Sequence, residues 1–184
     1  MHMSLVTTDE QLMADVKAGS ERACETLFAR YREPVWGFFR RRVPDSRRAE
    51  ELAQDTFVAI LQAAPRYEPR GALRSYIFGI AYNILVADRR RDRRADSVPL
   101  ADDPPAGPAA DPSLALWVRD ALARLDADDR EILMLREYED LSYQEIADVR
   151  AMPLNTVRSR LFRARMALRA ALEARHAGVG HERD

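Results

Sequence analysis

An all-α fold, arranged as two small helical domains joined by a proline-rich linker, is what this sequence predicts. Three observations carry the expectation. Apolar residues recur at three- and four-residue spacing in both halves. No segment alternates in the way a half-buried strand does. Residues 95–112 hold five of the ten prolines and almost no apolar bulk. Proline lacks the backbone donor and blocks helix continuation, so this stretch should be an extended linker between a domain at 1–94 and a domain at 113–175, with 176–184 a short polar tail. The chain has 184 residues, 47% of them apolar. That fills a core but leaves each half small, so partners are expected to add to its stability.

The elements follow in order. Leu12, Val16, Ala23, Leu27 and Tyr31 predict a helix pair broken near Gly19-Ser20. Pro34 should open a separate stretch through Val35, Trp36, Phe38 and Phe39. Pro44-Asp45-Ser46 is a stop followed by a start, with Asp45 or Ser46 as N-cap. The next helix should run to about Ala63 with Ala49, Ala53, Phe57, Ile60 and Ala64 inward, Glu50, Glu51, Gln54 and Asp55 largely on the other side, and Pro65 at its end. Arg66–Gly71 reads as a loop. A longer helix from about Ala72 to Arg94 carries an inward stripe of Leu73, Ile77, Ile80, Ile84 and Ala87. In the second half, Asp111-Pro112 fits N-cap followed by N1, with Leu114, Val118, Leu122 and Leu125 inward. Asp126 caps the next helix, which buries Ile132, Leu133 and Leu135. Ser142 and Glu145 have the spacing of a capping box. Their short helix holds Ile146, Ala147 and Val149. A turn at 150–153 then leads to a last helix from about Leu154, with Val157, Leu161, Ala164, Leu168 and Leu172 inward.

Composition closes several functional classes. Cys24 is the single cysteine, which excludes an internal disulfide framework and a multi-cysteine zinc site. The three histidines, His2, His176 and His181, sit near the ends. A buried histidine-based catalytic or metal centre is therefore not expected. The acidic run Asp126, Asp128, Asp129 and Glu131 would scatter around a helix axis rather than converge on a metal, and helix N-termini favour acids in any case. No apolar run approaches the roughly 20 residues of a membrane span. The N-terminus lacks a charged start followed by an apolar stretch, so no secretory signal is expected. The expectation is a cytoplasmic protein that is not an enzyme, with no catalytic residue, no metal and no cofactor.

Charge placement says what remains. The net charge is −1, and of the 29 basic residues only Lys17 is not arginine. Arginines cluster at 40–48, 89–94 and 158–169, while acids gather at Glu50, Glu51, Asp55 and from Asp126 to Asp148. Separated blocks of opposite sign point to distinct faces for distinct partners. A short capped helix, a four-residue turn and a longer basic helix together spell helix-turn-helix, whose second helix enters the major groove. Asn155, Thr156, Arg158, Ser159, Phe162 and Arg163 avoid the inward stripe and are available to bases or phosphates of a duplex. In the first half Tyr67, Tyr76, Phe78 and Tyr82 lie close in sequence to Arg70, Arg74, Arg89, Arg90 and Arg91. Rings beside arginines can stack unpaired bases while the charges hold the backbone, although half of these rings could be core. A helix-turn-helix could also belong to a stand-alone transcriptional regulator that binds DNA as a dimer. The acidic helix and the aromatic-arginine half argue against that.

Several segments, taken in order, carry a family resemblance. Asp9–Leu12 through Ala23, Leu27, Phe28 and Tyr31 come first. Ala49–Phe57 is an acidic helix. Leu73–Asn83 is followed by the arginine run. Leu141–Ala147 and Thr156–Arg165 close the set. This series resembles the extracytoplasmic-function (ECF) sigma factors, the smallest members of the bacterial sigma-70 family, which keep only regions two and four. The resemblance spans nearly everything from 9 to 172.

The resemblance implies roles that composition does not supply. Glu50, Glu51, Gln54 and Asp55 would dock core RNA polymerase. Tyr67, Arg70 and Gly71 of the loop, with Asn83, would hold an unpaired base of the promoter −10 element. Tyr76 would stack at the melted junction, and Arg89, Arg90 and Arg91 would bind phosphates beside it. Asn155, Thr156, Arg158, Ser159, Phe162 and Arg163 would read the −35 element as duplex. An anti-sigma factor would mask these surfaces. The mechanism implied is binding without covalent chemistry, strongly dependent on salt. One departure stands out. The family turn usually carries a glycine near Arg150 and another just before the threonine. Here Ala151 and Asn155 occupy that stretch, and the first change is expected to shift the turn. Asparagine tolerates positive φ, so the second should be mild.

Overall fold

The computed structural model of this chain describes residues 8–69, 72–95 and 112–179. The expected linker therefore lies almost wholly outside the described residues, as do Arg70, Gly71, Asp111 and residues 180–184. The chain divides into two compact units, Met1–Pro99 and Leu100–Asp184. Every described element is helical.

Unit one is built from α1 (Asp9–Lys17), α2 (Glu21–Arg40), α3 (Ser46–Ala63), a 3-10 turn at Ala64–Arg66, and α4 (Leu73–Ala95). Thr8 caps α1 by accepting from the Gln11 N–H. Gly19, at φ +85°, makes the turn, and Ser20 caps α2 by accepting from the Ala23 N–H. Pro34 does not open a new helix: α2 runs through it without interruption. The local cost of an internal proline is about 3 kcal/mol. Burial outweighs it, because Leu27, Tyr31, Val35 and Phe38 keep one inward face across the proline, each at most 3% exposed. Between the two candidate caps of α3, Asp45 takes the role, accepting from the Arg47 N–H at 3.1 Å.

The core of unit one centres on Phe38, whose ring meets Phe39 at 5.1 Å and Phe78 at 5.7 Å between centroids. From α3, Ala49, Leu52, Ala53, Thr56 and Ile60 point inward. Phe57 is only half-buried. The stripe of α4 begins as expected at Leu73 and Ile77 but then departs by one residue, to Phe78, Ala81, Leu85 and Asp88. Ile80 and Ile84 are half-buried and Ala87 is exposed. The stripe ends on a buried carboxylate, which hydrophobic periodicity does not register. Asp88 faces inward and is paired with Arg48 of α3, which reaches on to Glu51 at 2.9 Å.

Unit two contains α5 (Pro112–Ala123), α6 (Ala127–Glu137), α7 (Tyr143–Arg150) and α8 (Leu154–Val179). Asp126 caps α6 by accepting from the Asp128 and Asp129 N–H groups. Ser142 and Glu145 form the reciprocal capping box on α7. Leu122, Ile132, Leu133, Leu135, Leu141, Ile146, Ala147, Val157, Leu161 and Ala164 make the core. Val118, Leu125, Val149 and Leu168 sit half-buried at its edge. The side chains of Leu114 and Leu172 lie outside the described residues. Helix α8 continues to Val179, past 175 and into the stretch expected as a polar tail.

The turn between α7 and α8 is built without a glycine. Ala151 takes the left-handed conformation itself, at φ 47° and ψ 48°. Its N–H bonds to the Asp148 carbonyl and that of Met152 to the Ala147 carbonyl, the two bonds of a Schellman cap. A Cβ in that region costs about 1–2 kcal/mol. Asn155 lies within α8 and is not among the described residues with positive φ, so its tolerance of that region is not used.

Candidate functional site

Unit two presents the first surface. On α8, Asn155, Arg158, Ser159, Phe162 and Arg163 are exposed and Thr156 is half-buried. Phe162 is 65% exposed, unusual for a ring unless a partner covers it. Asn155 accepts from Arg158 at 3.2 Å, and the Ser159 hydroxyl donates to the Thr156 carbonyl at 3.0 Å. The arginines between and beyond them are held by carboxylates. Arg160 donates to Asp126 at 3.2 Å and to Asp129 at 2.8 Å, and pairs with Asp128 at 3.3 Å. Arg163 donates through Nε and Nη2 to the two oxygens of Asp129, both at 3.3 Å. Arg165 reaches Glu137 and the Tyr143 hydroxyl. Arg150 pairs with Asp128 at 2.7 Å. The bond to Asp129, first among these effects, pushes the Arg160 guanidinium above its ordinary value. Backbone N–H groups at the α6 N-terminus, with Arg160 beside them, hold the Asp126 carboxyl below its own.

Unit one presents the second. Tyr76, Asn83 and Arg90 are spaced by seven residues on α4. A helix drifts only about 20° per seven residues, so the three share a face. At 1.5 Å per residue that line is about 21 Å long. Tyr76 is half-buried and Asn83 and Arg90 are exposed. Arg89 is half-buried and Arg91 exposed, and none of the three arginines has a hydrogen bond or ion pair among the described residues. Tyr67 is not displayed. It is 6% exposed, and its ring meets Tyr76 edge-on at 4.8 Å. Its carbonyl accepts from Lys17 at 3.0 Å, while its hydroxyl has no hydrogen-bond partner among the described residues. Burial pushes both phenols above their ordinary value. Phe78 is fully buried. Of the four rings named from sequence, Tyr67 and Phe78 are thus interior, and Tyr76 and Tyr82 reach the surface in part.

The third surface lies on α3. Glu50, Gln54 and Asp55 are exposed, whereas Glu51 is tied down by Arg48 and by Arg47 at 3.4 Å. Beside them a groove of about 430 Å³ runs between α2 and α3. Phe28, Trp36, Ala53 and Phe57 give it apolar walls, and Arg32, Glu33, Glu50 and Gln54 give it charged and polar edges. Phe28 stays 48% exposed although its ring touches Phe57 at 4.9 Å. Sequence reasoning counted Phe57 as core and assigned no role to Trp36 as a surface group. The available signal was a surplus: α2 and α3 carry more aromatic residues than their inward stripes can bury. Asp129 was also missed as a partner of Arg160 and Arg163. Its signal was a pair of arginines three apart on one helix, matched by acids at the start of another. Among the described residues no helix is long and apolar enough to cross a membrane.

Comparison with known proteins agrees with both units. Two family models match: "Sigma-70 region 2" over residues 27–95 and "Sigma-70, region 4" over residues 115–168. The RNA polymerase sigma-H factor of Pseudomonas aeruginosa is 33% identical, covering 90% of this chain and 94% of its own. The sigma factor CarQ of Myxococcus xanthus is 34% identical, covering 87% and 95%. The ECF sigma-E factor of Escherichia coli is 32% identical, covering 90% and 95%. Among solved structures, the sigma factor RpoE of Bartonella quintana in complex with the anti-sigma factor NepR aligns with a TM-score of 0.69 at 26% identity, over 81% of this chain and 96% of that one. CnrH in complex with the cytosolic domain of CnrY aligns with a TM-score of 0.67 at 26% identity, over 90% and 97%.

Proposed function

This chain belongs to the extracytoplasmic-function group of the sigma-70 family, and on that premise we propose how its surfaces start transcription. It is a transcription initiation factor. Core RNA polymerase docks on α3 through Glu50, Gln54 and Asp55, with the Phe28–Trp36–Phe57 groove receiving apolar side chains beside them. Glu51 contributes less directly, since its carboxylate is already shared between two arginines. Helix α8 enters the major groove of the −35 duplex. Asn155, Thr156, Arg158, Ser159, Phe162 and Arg163 are its contact residues. Helix α4 holds the melted −10 strand. Tyr76 stacks a base with Tyr67 buttressing its ring from behind, Asn83 hydrogen-bonds a base edge, and Arg89, Arg90 and Arg91 hold phosphates. Arg70 and Gly71, expected at the same site, lie outside the described residues. Stacking on one exposed ring is worth about 1–3 kcal/mol, comparable to the stacking lost when a base pair opens.

The observation that supports this reading is the combination, in one chain, of a helix-turn-helix in unit two with an aromatic, amide and basic line, Tyr76–Asn83–Arg90, on one face of α4 in unit one. A stand-alone dimeric regulator would use the first and have no use for the second. Such a factor works in the cytoplasm beside the polymerase, without cofactor or catalytic residue. An anti-sigma factor is the natural antagonist, and the α2–α3 groove suits a partner helix with an apolar face.

The test is gel filtration of the full chain with bacterial core RNA polymerase, beside a variant with Glu50, Gln54 and Asp55 changed to alanine. The wild type should co-elute at moderate salt and the variant should bind at least about tenfold more weakly, the loss expected when a few central contacts are truncated. Absence of co-elution by a folded wild type would remove the reading.

A further inference from the structure

We propose that Asp129 is a positioning residue for promoter reading: it fixes the Arg163 guanidinium side-on so that the free end of the fork can read a guanine in the −35 duplex. The inference rests on the reading that α8 enters duplex DNA. Its own basis is the geometry of one carboxylate. Asp129 sits in the first turn of α6, and its side chain is 10% exposed, whereas that of Arg163 is 60% exposed. The Asp129 main-chain N–H is bonded to Asp126 at 3.3 Å, and Arg160 donates to its Oδ1 at 2.8 Å. The backbone that carries the carboxylate is therefore fixed by the Asp126 cap, and the carboxylate itself is held by Arg160, which does not belong to the contact surface.

Arg163 meets it through Nε and Nη2, one to each oxygen. That uses the side edge of the guanidinium. The end edge, with Nη1 and the second hydrogen of Nη2, remains. Two parallel donors at that spacing match the N7 and O6 acceptors of guanine, which no other base presents together. An unheld arginine would have to give up its rotamer freedom on binding. Here the freedom is already spent within the protein, on a carboxylate rooted in a different helix. Arg160 shows the contrast. Three carboxylates surround it and its side chain is 24% exposed, so it acts as the brace and not as the reader.

A rival role for Asp129 is simple counter-charge, lowering attraction to any duplex. The two roles differ in what they do to base discrimination. Holoenzyme is reconstituted from the full chain and bacterial core RNA polymerase, and a promoter is selected from a duplex library randomised in the upstream element. Each upstream guanine is then replaced singly by 7-deazaguanine, which lacks the N7 acceptor. For the wild type, one replacement should weaken binding at least roughly fivefold. In Asp129→Asn that same replacement should cost less than about twofold, with the other guanines unchanged and the melting temperature of the chain within a few degrees. Arg163→Lys, which keeps the charge without the fork, should erase the same penalty.

Retention of the full penalty in Asp129→Asn overturns the proposal. So does tighter binding of Asp129→Asn to all duplexes alike with a steeper salt dependence, which is the counter-charge result. Should Asp129→Asn melt below the assay temperature, Asp129→Glu keeps the charge but displaces the carboxylate by one methylene. Loss of the penalty there supports positioning and its retention overturns it. Failure of the underlying reading looks different: the wild type then shows no guanine dependence at any upstream position, and the proposal falls with it.

Discussion

The two basic helices of this protein use the same residue in opposite ways. On α4, Arg89, Arg90 and Arg91 stand without a carboxylate partner among the described residues. On α8, Arg160, Arg163, Arg165 and Arg169 are each bonded to an acid. The difference follows the proposed targets. A single strand is flexible, and its phosphates move to meet a mobile cation, so nothing is gained by fixing the cation first. A duplex offers base edges at fixed positions, and a fork aimed in advance loses less on binding. On the proposed reading, the carboxylates that hold Arg160 and Arg163 prepare α8 for a rigid partner, whereas Arg89, Arg90 and Arg91, unpaired among the described residues, suit a soft one.

Substitution separates arginines that hold the protein together from those proposed to hold nucleic acid. The largest effect should come from Arg48→Ala. It strands the Asp88 carboxylate, which is 4% exposed. A buried charge left without its partner costs about 3 kcal/mol or more. Urea unfolding followed by Trp36 fluorescence in a Trp117→Phe background checks it. Changing Arg89, Arg90 and Arg91 together to alanine should leave that unfolding curve within about 0.5 kcal/mol per site. The salt dependence of single-strand binding by the polymerase-bound chain should flatten by about 2 in log–log slope. If the triple variant destabilises unit one as Arg48→Ala does, the distinction between the two sets fails. The smallest effect is expected at the turn. Ala151→Gly relieves the left-handed strain at some entropic cost in the unfolded chain, and should stabilise unit two by about 1 kcal/mol in thermal denaturation.

Helices and their ends were legible where a single physical rule acts locally. The Ser142–Glu145 box, the Asp126 cap and the buried Ile146, Ala147, Val157, Leu161 and Ala164 follow from spacing alone. Pro34 shows where a local rule loses, because burial of Val35 and Phe38 is decided by packing between helices. Asp88 shows the same for the α4 stripe, since no count of apolar positions selects an inward carboxylate. The candidate contact residues of α8 could be named by elimination from its stripe. Asp129 could not, because its role depends on a helix about thirty positions away in sequence. Tyr67 illustrates the converse: a ring beside arginines in sequence reads as a surface group, and only the fold reveals that Tyr76 covers it.

The choice of arginine and carboxylate for the braces on α8 also fixes which feature of the surroundings the protein can sense. Arginine stays protonated throughout the biological range and carboxylates ionise well below it. Asp126 is held lower still by the backbone and Arg160. Histidine, the side chain that would respond near neutrality, has no place in these braces. Moderate acidification of the cell should therefore leave the braces of α8 untouched. Ionic strength will not, because exposed pairs such as Arg165–Glu137 weaken as the Debye length contracts. A rise in ionic strength would loosen the exposed braces more than those on Asp129, whose side chain is 10% exposed, so the surface proposed to face DNA should respond to salt and not to mild acid.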